Sequence, residues 1–235
     1  MFTANLALAL AMAIPAGAWT STVHDASHDY GDSTINQKVF DDRIHQQIWA
    51  TSASHFGVIA TAPKGNVAVL SYPSRQDLEY LTPATKLKAL RASYDFSVPK
   101  LGDYEAAFDI WVQPNGQRTN WDHDAELMIW TDNHGQRPAG QVVGHAVTQY
   151  AQSFTVWLDG SKGKGDSIVT LVQDHGTAKG TMHILSVFRW LWDHGYFPRG
   201  SALLDVEYGW EICSTAGVAE SFTMNSYALH KEVSP

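Results

Sequence analysis

Three carboxylates set inside apolar, alternating stretches are the residues of this chain best suited to do chemistry. Glu126 lies in "AELMIWTD", Asp109 in "YEAAFDIWVQ" and Glu211 in "LLDVEYGWEICS". A bare carboxylate among large apolar side chains is costly, so each such position calls for a reason. With the two-residue period of a β-strand, Glu126, Met128 and Trp130 share a face opposite Leu127 and Ile129. Asp109 shares a face with Ala107 and Trp111 opposite Phe108, Ile110 and Val112. Glu211 shares one with Asp205, Glu207, Gly209 and Cys213 opposite Val206, Tyr208, Trp210 and Ile212. If the carboxylate-bearing faces line one groove, Asp109, Glu126 and Glu211 converge there. Paired carboxylates beside aromatic platforms suit glycosidic hydrolysis. One carboxylic acid protonates the leaving oxygen while the other attacks the anomeric carbon or activates water. A third acidic group can raise its neighbour's pKa or share its proton, and exposed Trp rings stack on pyranose faces. Periodicity alone leaves the plainer alternative open, namely strand glutamates that face solvent or form surface pairs. It also leaves Asp205 and Glu207 as rivals of Glu211.

The elements that must position these residues read as short strands separated by turns. Candidate strands are "HFGVIATA", "NVAVLSYP", "LKALRASYDFSV", "YEAAFDIWVQ", "AELMIWTD", "QVVGHAVTQY", "SFTVWLDG", "DSIVTLVQD", "ALLDVEYGWEICST" and "SFTMNSYAL". Pro63 to Asn66, Pro114-Asn115-Gly116, Asp159-Gly160 and Gly163 to Gly165 supply turn chemistry between them. Many short strands with regular turns predict an all-β sandwich. One segment departs from this pattern. In "TMHILSVFRWLWDHG", Ile184, Leu185, Val187, Phe188, Leu191 and Trp192 recur with helical spacing, and Gly195 is a natural stop.

Composition narrows the partners. The chain has 235 residues, enough for one domain with a sizeable core, and its 44% hydrophobic and 17% charged residues describe a globular protein. A net charge of −8 without basic clusters argues against nucleic acid and anionic membranes and favours a neutral polymer or small molecule. Nine Trp, nine Tyr and nine Phe suit either a β-rich core or a surface that stacks on sugar rings. Cys213 is the only cysteine, which rules out an intrachain disulfide. The apolar run Leu6 to Ile14, followed by Ala16-Gly17-Ala18, resembles a secretory leader without the usual basic start. Secretion is the expectation, with residues 1–18 as the signal peptide. Residues 19–36 then form a polar arm or linker and residues 37–235 the catalytic domain. Within the arm, His24, His28, Asp25, Asp29 and Asp32 lack a scaffold to fix metal geometry and are expected to be solvated.

Several of these stretches together resemble glycoside hydrolase family 12. "AELMIWTDNHGQRPAG" is similar to its E-[IL]-M-I-W signature followed by a turn and a P-x-G segment. "VEYGWEI" is similar to its late V-Q-x-G-[FT]-E motif, "AFDIWV" to its Y-D-[IVL]-[WF] strand, and "SYPS" to its K-S-Y-P-N segment. The resemblance covers roughly residues 55 to 230, and the pair of glutamate motifs is what makes it specific. It implies a β-jelly-roll of two curved antiparallel sheets, of the concanavalin A-like glucanase type, with one helix packed on the convex side. It further implies a retaining, endo-acting β-1,4-glucanase of cellulose, mixed-linkage glucan or xyloglucan, working as a monomer with no metal and no organic cofactor. Carried over by motif, Glu126 is the nucleophile, Glu211 the general acid/base and Asp109 the support of the nucleophile. Met128, Trp130 and Trp111 line the sugar sites, and Pro138 belongs to a loop beside the cleft. The G-x-E match selects Glu211 over Glu207, with Gly209 leaving room where a substrate approaches.

The departures are equally specific. The family's early N-N-x-W-G segment has no clear counterpart, and Trp49 is the nearest candidate, with a plain core role as its alternative. Glu207 stands where the family has Gln, and Cys213 is either a buried filler or borders the cleft. The readings that compete with a β-1,4-glucanase are a non-catalytic glycan-binding sandwich and a hydrolase of another polysaccharide such as xylan.

Overall fold

The computed structural model describes residues 14–114, 116 and 124–234; of the expected leader, residues 1–13 lie outside it. The strands are β1 (Trp19–Ser21), β2 (Ser27–Tyr30), β3 (Ser33–Asn36), β4 (His45–Ser52), β5 (His55–Thr61), β6 (Ser74–Pro83), β7 (Leu87–Ser97), β8 (Asp103–Gln113), β9 (Ala125–His134), β10 (Gln141–Val147), β11 (Ser153–Asp159), β12 (Ile168–Gln173), β13 (Lys179–Met182), β14 (Ala202–Ser214) and β15 (Glu220–Val233), with one helix, α1 (Ile184–Asp193). They form a six-stranded sheet in the order β1-β4-β5-β15-β7-β13 and a nine-stranded sheet in the order β10-β11-β12-β9-β8-β14-β6-β3-β2. Pairing is antiparallel except between β9 and β12. The result is the expected all-β jelly-roll, with one α-helix among the described residues.

The core lies between the sheets and is built from the apolar alternates read in the sequence. Ile48, Ala50, Phe56 and Val58 from one sheet meet Phe108, Ile110, Val206, Tyr208 and Trp210 from the other, all fully or nearly fully buried. Phe108 and Tyr208 pack at a tilt across neighbouring strands with ring centroids 4.2 Å apart, and Tyr94 and Tyr227 close over them. The expected helix forms where its spacing predicted. Ile184, Leu185, Val187, Phe188 and Leu191 are buried, α1 packs against β7, and Gly195 at φ +74° follows its end.

Three segments differ from the sequence expectation. Residues 19–36 are not a free arm: β1 pairs with β4, while β2 and β3 form a hairpin that extends the nine-stranded sheet along β6. Its polarity is that of an edge, where many side chains face water, Ile35 enters the core and Trp19 and Tyr30 pack at its margin. "SRQDLEYLTP" is a strand, β6, that the alternation missed because its inner face is ionic. Arg75 pairs with Asp77 at 2.8 Å and sits over the Tyr227 ring, and Lys231 pairs with Glu79 at 2.7 Å. Conversely, "NVAVLSYP" makes no strand beyond isolated bridges from Ser71 to Val39 and Ile212, and Val67 is almost fully exposed.

Gly209 also has a different reason from the one its motif suggested. A Cβ there would collide with the Pro73 carbonyl oxygen and lie 2.8 Å from Ser74 Cα, so its missing side chain admits the neighbouring backbone. Gly209→Ala is therefore expected to destabilise the fold by about 2 kcal/mol, the scale of an overpacked site. The melting temperature should fall by roughly 4–8 °C for a chain of this size. A thermal melt that superimposes on the wild type would show that the Pro73–Ser74 segment yields freely.

Candidate active site

The central strands of the nine-stranded sheet carry all three expected carboxylates. β8 lies between β9 and β14. Its register sets Trp111 opposite Glu126 and Asp109 opposite Met128 on one side, with Asp109 opposite Glu207 and Glu105 opposite Glu211 on the other. Because the alternate residues of these strands fill the core, Glu105, Ala107, Asp109, Trp111, Glu126, Met128, Trp130, Glu207 and Glu211 share the opposite, outer face. The convergence that periodicity could not establish is thus supplied by strand order.

Burial distinguishes the members. Glu126, Glu211 and Trp111 are partly buried, whereas Asp109, Glu207 and Glu105 are almost completely enclosed. Met128 and Trp130 pack with Ala107 into a small apolar cluster supported by Ile168 and Val172 of β12. Trp130 is 2% exposed, so it forms the floor of the site and not a free stacking platform. Pro138 is buried in the segment before β10, next to Gln136, whose side-chain amide donates to the Glu211 carbonyl at 3.0 Å. Trp49 does not join the site. It lies on β4 in the other sheet, on the face opposite Ile48 and Ala50, with its ring over Gly57 and edge-on to His55. Gly57 makes the space for this indole, which is the plain structural role.

Glu207, the rival that periodicity could not dismiss, is fully engaged. It pairs with Lys38 and accepts hydrogen bonds from Ser74 Oγ at 2.8 Å and Gln76 Nε2 at 3.2 Å. Asp205 accepts from Gln76 Nε2 at 2.8 Å and from the Trp111 amide at 3.3 Å. Lys38 was not foreseen. It enters from the irregular segment after β3, at φ +42°, and no alternation marks it. Glu105 was also missed, although it shares the β8 face with Asp109 by simple parity. Cys213 is buried and also borders a hollow of about 360 Å³ past Glu211, lined by Asp103, Gln136 and Arg137 among others. Its thiol is pushed up to about 12, first by burial and then by the Glu211 charge, so it is not a nucleophile.

The electrostatics follow from crowding acids into a partly dry face. Glu126 is raised to about 7, mainly by burial and next by the Glu211 charge; a hydrogen bond with Asp109 and the charge of Lys38 act the other way. Asp109 stands well above the usual carboxylate range through burial and then the Glu126 and Glu207 charges. Glu211 is raised by burial, and a hydrogen bond with Glu105 opposes the shift. Asp205 rises to about 6 by burial and the Glu207 charge. Near neutrality, Asp109 is therefore a hydrogen-bond donor to Glu126, and the Glu211 charge adds to the rise of Glu126. Among the described residues, no group of three or more His, Cys, Asp or Glu side chains is placed to hold a metal ion.

Comparison with known proteins agrees with this geometry. The family model described as glycosyl hydrolase family 12 matches residues 19–232. Endoglucanase S of Pectobacterium parmentieri is 28% identical over 137 residues, which are 53% of this chain and 49% of that protein. The chain spans about half the length of the curated relatives it matches. Among solved structures, endoglucanase 3 of Trichoderma harzianum superimposes with a TM-score of 0.79 at 17% identity, covering 94% of this chain and all of that one. The xyloglucanase domain of NopAA from Sinorhizobium fredii, solved with cellobiose, gives 0.76 at 23% identity, covering 91% and 99%. At these identities the structures speak for the shared fold.

Proposed function

Because the chain belongs to glycosyl hydrolase family 12, we propose that it is a retaining, endo-acting β-1,4-glucanase, and that it works outside the cell on a polymeric β-glucan. The observation that carries this reading is the row of carboxyls on one face of β8, β9 and β14, in which Glu126 and Glu211 flank β8 from either side and the Glu211 charge reaches Glu126. In the first step the Glu126 carboxylate attacks the anomeric carbon while Glu211 gives its proton to the departing oxygen. The product of that step is a glycosyl ester on Glu126. In the second step Glu211, now a carboxylate, takes a proton from water as the water oxygen displaces Glu126. Asp109 and Lys38 both favour the ionised form of Glu126, as a nucleophile requires. The raised affinity of Glu211 for its proton suits the acid. Met128 and Trp130 provide an apolar floor for the sugar ring, and the segment around Pro138 borders the Glu211 end.

The test is a panel of carboxymethylcellulose, barley β-glucan, xyloglucan and xylan, scored for new reducing ends. Release from one or more of the β-1,4-glucans, with internal cuts that lower viscosity early, is the expected result. Release from xylan alone would replace the substrate class. Tight binding with no release from any of the four would make the protein a glycan-binding module.

A further inference from the structure

Among the described residues, Glu105 is the most completely enclosed carboxyl that the reaction above does not use. It is 0% exposed, no other side-chain donor of the protein reaches its oxygens, and its hydrogen-bonding neighbours are the backbone amide and the carboxyl of Glu211. A buried carboxylate so poorly supplied with donors is an expensive group to keep. Its position explains it: Glu105 lies directly opposite Glu211 in the β8–β14 ladder, on the same outer face. The other ionisable groups facing it are Cys213 from the same strand as Glu211 and Tyr72 from the segment before β6. Of the cations around the site, Lys38 is held on Glu207 further along and Arg137 lies over the Trp157 ring. On β9 its register partner is Asn133, which does not ionise. Glu105 therefore faces negative or neutral groups, and the low-cost state of such a carboxyl is the acid.

We propose that Glu105 is a positioning residue for Glu211, a carboxylic acid that keeps its own proton through turnover and donates it in a hydrogen bond to the Glu211 carboxylate. When Glu211 gives its proton to the leaving oxygen, the new charge is met by the Glu105 hydroxyl. When Glu211 later takes a proton from water, that hydrogen bond relaxes. Glu105 neither gains nor loses a proton, and it does not touch the sugar. The elevated affinity of Glu105 for its proton, caused first by burial and then by Glu211, agrees with this geometry. β8 thus presents two protonated acids from one face, Asp109 to Glu126 and Glu105 to Glu211.

The proposal rests on Glu211 as acid/base, which the azide experiment in the Discussion tests without touching Glu105. The test here is the pH profile of kcat/KM. Glu105→Leu removes a hydrogen bond that favours ionised Glu211, so the alkaline limb should move up by about one pH unit. Glu105→Gln keeps a neutral donor and should leave the limb in place. A downward shift in Glu105→Gln would mean that Glu105 is charged, and an unmoved limb in Glu105→Leu would mean that it does not act on Glu211. Either result overturns the proposal. If Glu105→Leu does not fold, infrared spectroscopy decides. The protonated-carboxyl band at neutral pH should shrink in Glu105→Gln, and an unchanged band overturns the proposal.

Discussion

Glu126→Gln should lower the release of reducing ends from soluble β-glucan by about 10⁴-fold or more, because no covalent intermediate can form without the nucleophile. The fold should gain stability at the same time. Glu126 is raised from 4.5 to about 7, so folding favours its protonated form. That contribution is complete below pH 4.5 and is lost as the pH rises through 7. Above that point the ionised group costs the fold on the order of 3 kcal/mol, which glutamine does not. Urea melts at pH 8 should show the variant more stable than the wild type, with the difference vanishing at pH 4. Wild-type turnover in Glu126→Gln would remove Glu126 from the mechanism altogether.

Glu211→Ala should lower turnover of glucan by about 10³-fold, within the range of a lost general acid. The loss should depend on the leaving group, which an indirect effect on folding would not produce. An aryl cellobioside whose phenol leaves without protonation should still acylate Glu126, and the glycosyl enzyme should then accumulate because no base activates water. Azide needs no base. Adding it should restore turnover and yield a β-glycosyl azide, whose retained configuration is visible by NMR. Equal losses for all leaving groups, with no azide product, would point instead to Glu207 opposite Asp109.

Much of this site was legible because the strands that hold it bury one face completely. Phe108, Ile110 and Val112 announce which side of β8 is core, and parity then fixes Asp109 on the other side. What parity cannot report is strand order, and only order brings Glu211 beside β8 instead of 85 residues away from Glu126 (211 − 126). Glu105 obeys the same parity as Asp109 but lacks a motif to single it out. Lys38 comes from an irregular segment at positive φ, where no period exists. The polar hairpin β2–β3 and the ionic β6 were invisible for a common reason. Their stability comes from a partner strand and from paired charges, and neither leaves an apolar alternation behind. Trp49 misled because an aromatic residue opposite a glycine fills space as readily as it stacks on a sugar.

The order of the strands also dictates when the site can exist. β14 is the fourteenth of fifteen strands to be synthesised, yet it inserts between β8 and β6 in the middle of the nine-stranded sheet. Until it emerges from the ribosome, β8 and β6 each present an open edge to solvent and to other chains. β9 likewise waits for β12, whose Ile168 pairs beside Glu126, 42 residues later (168 − 126). Such long closures place folding among the slow, non-local topologies, on the order of milliseconds to seconds. The strand that brings Glu211 is the keystone of the sheet, so completion of the fold and assembly of the two glutamates are one late event.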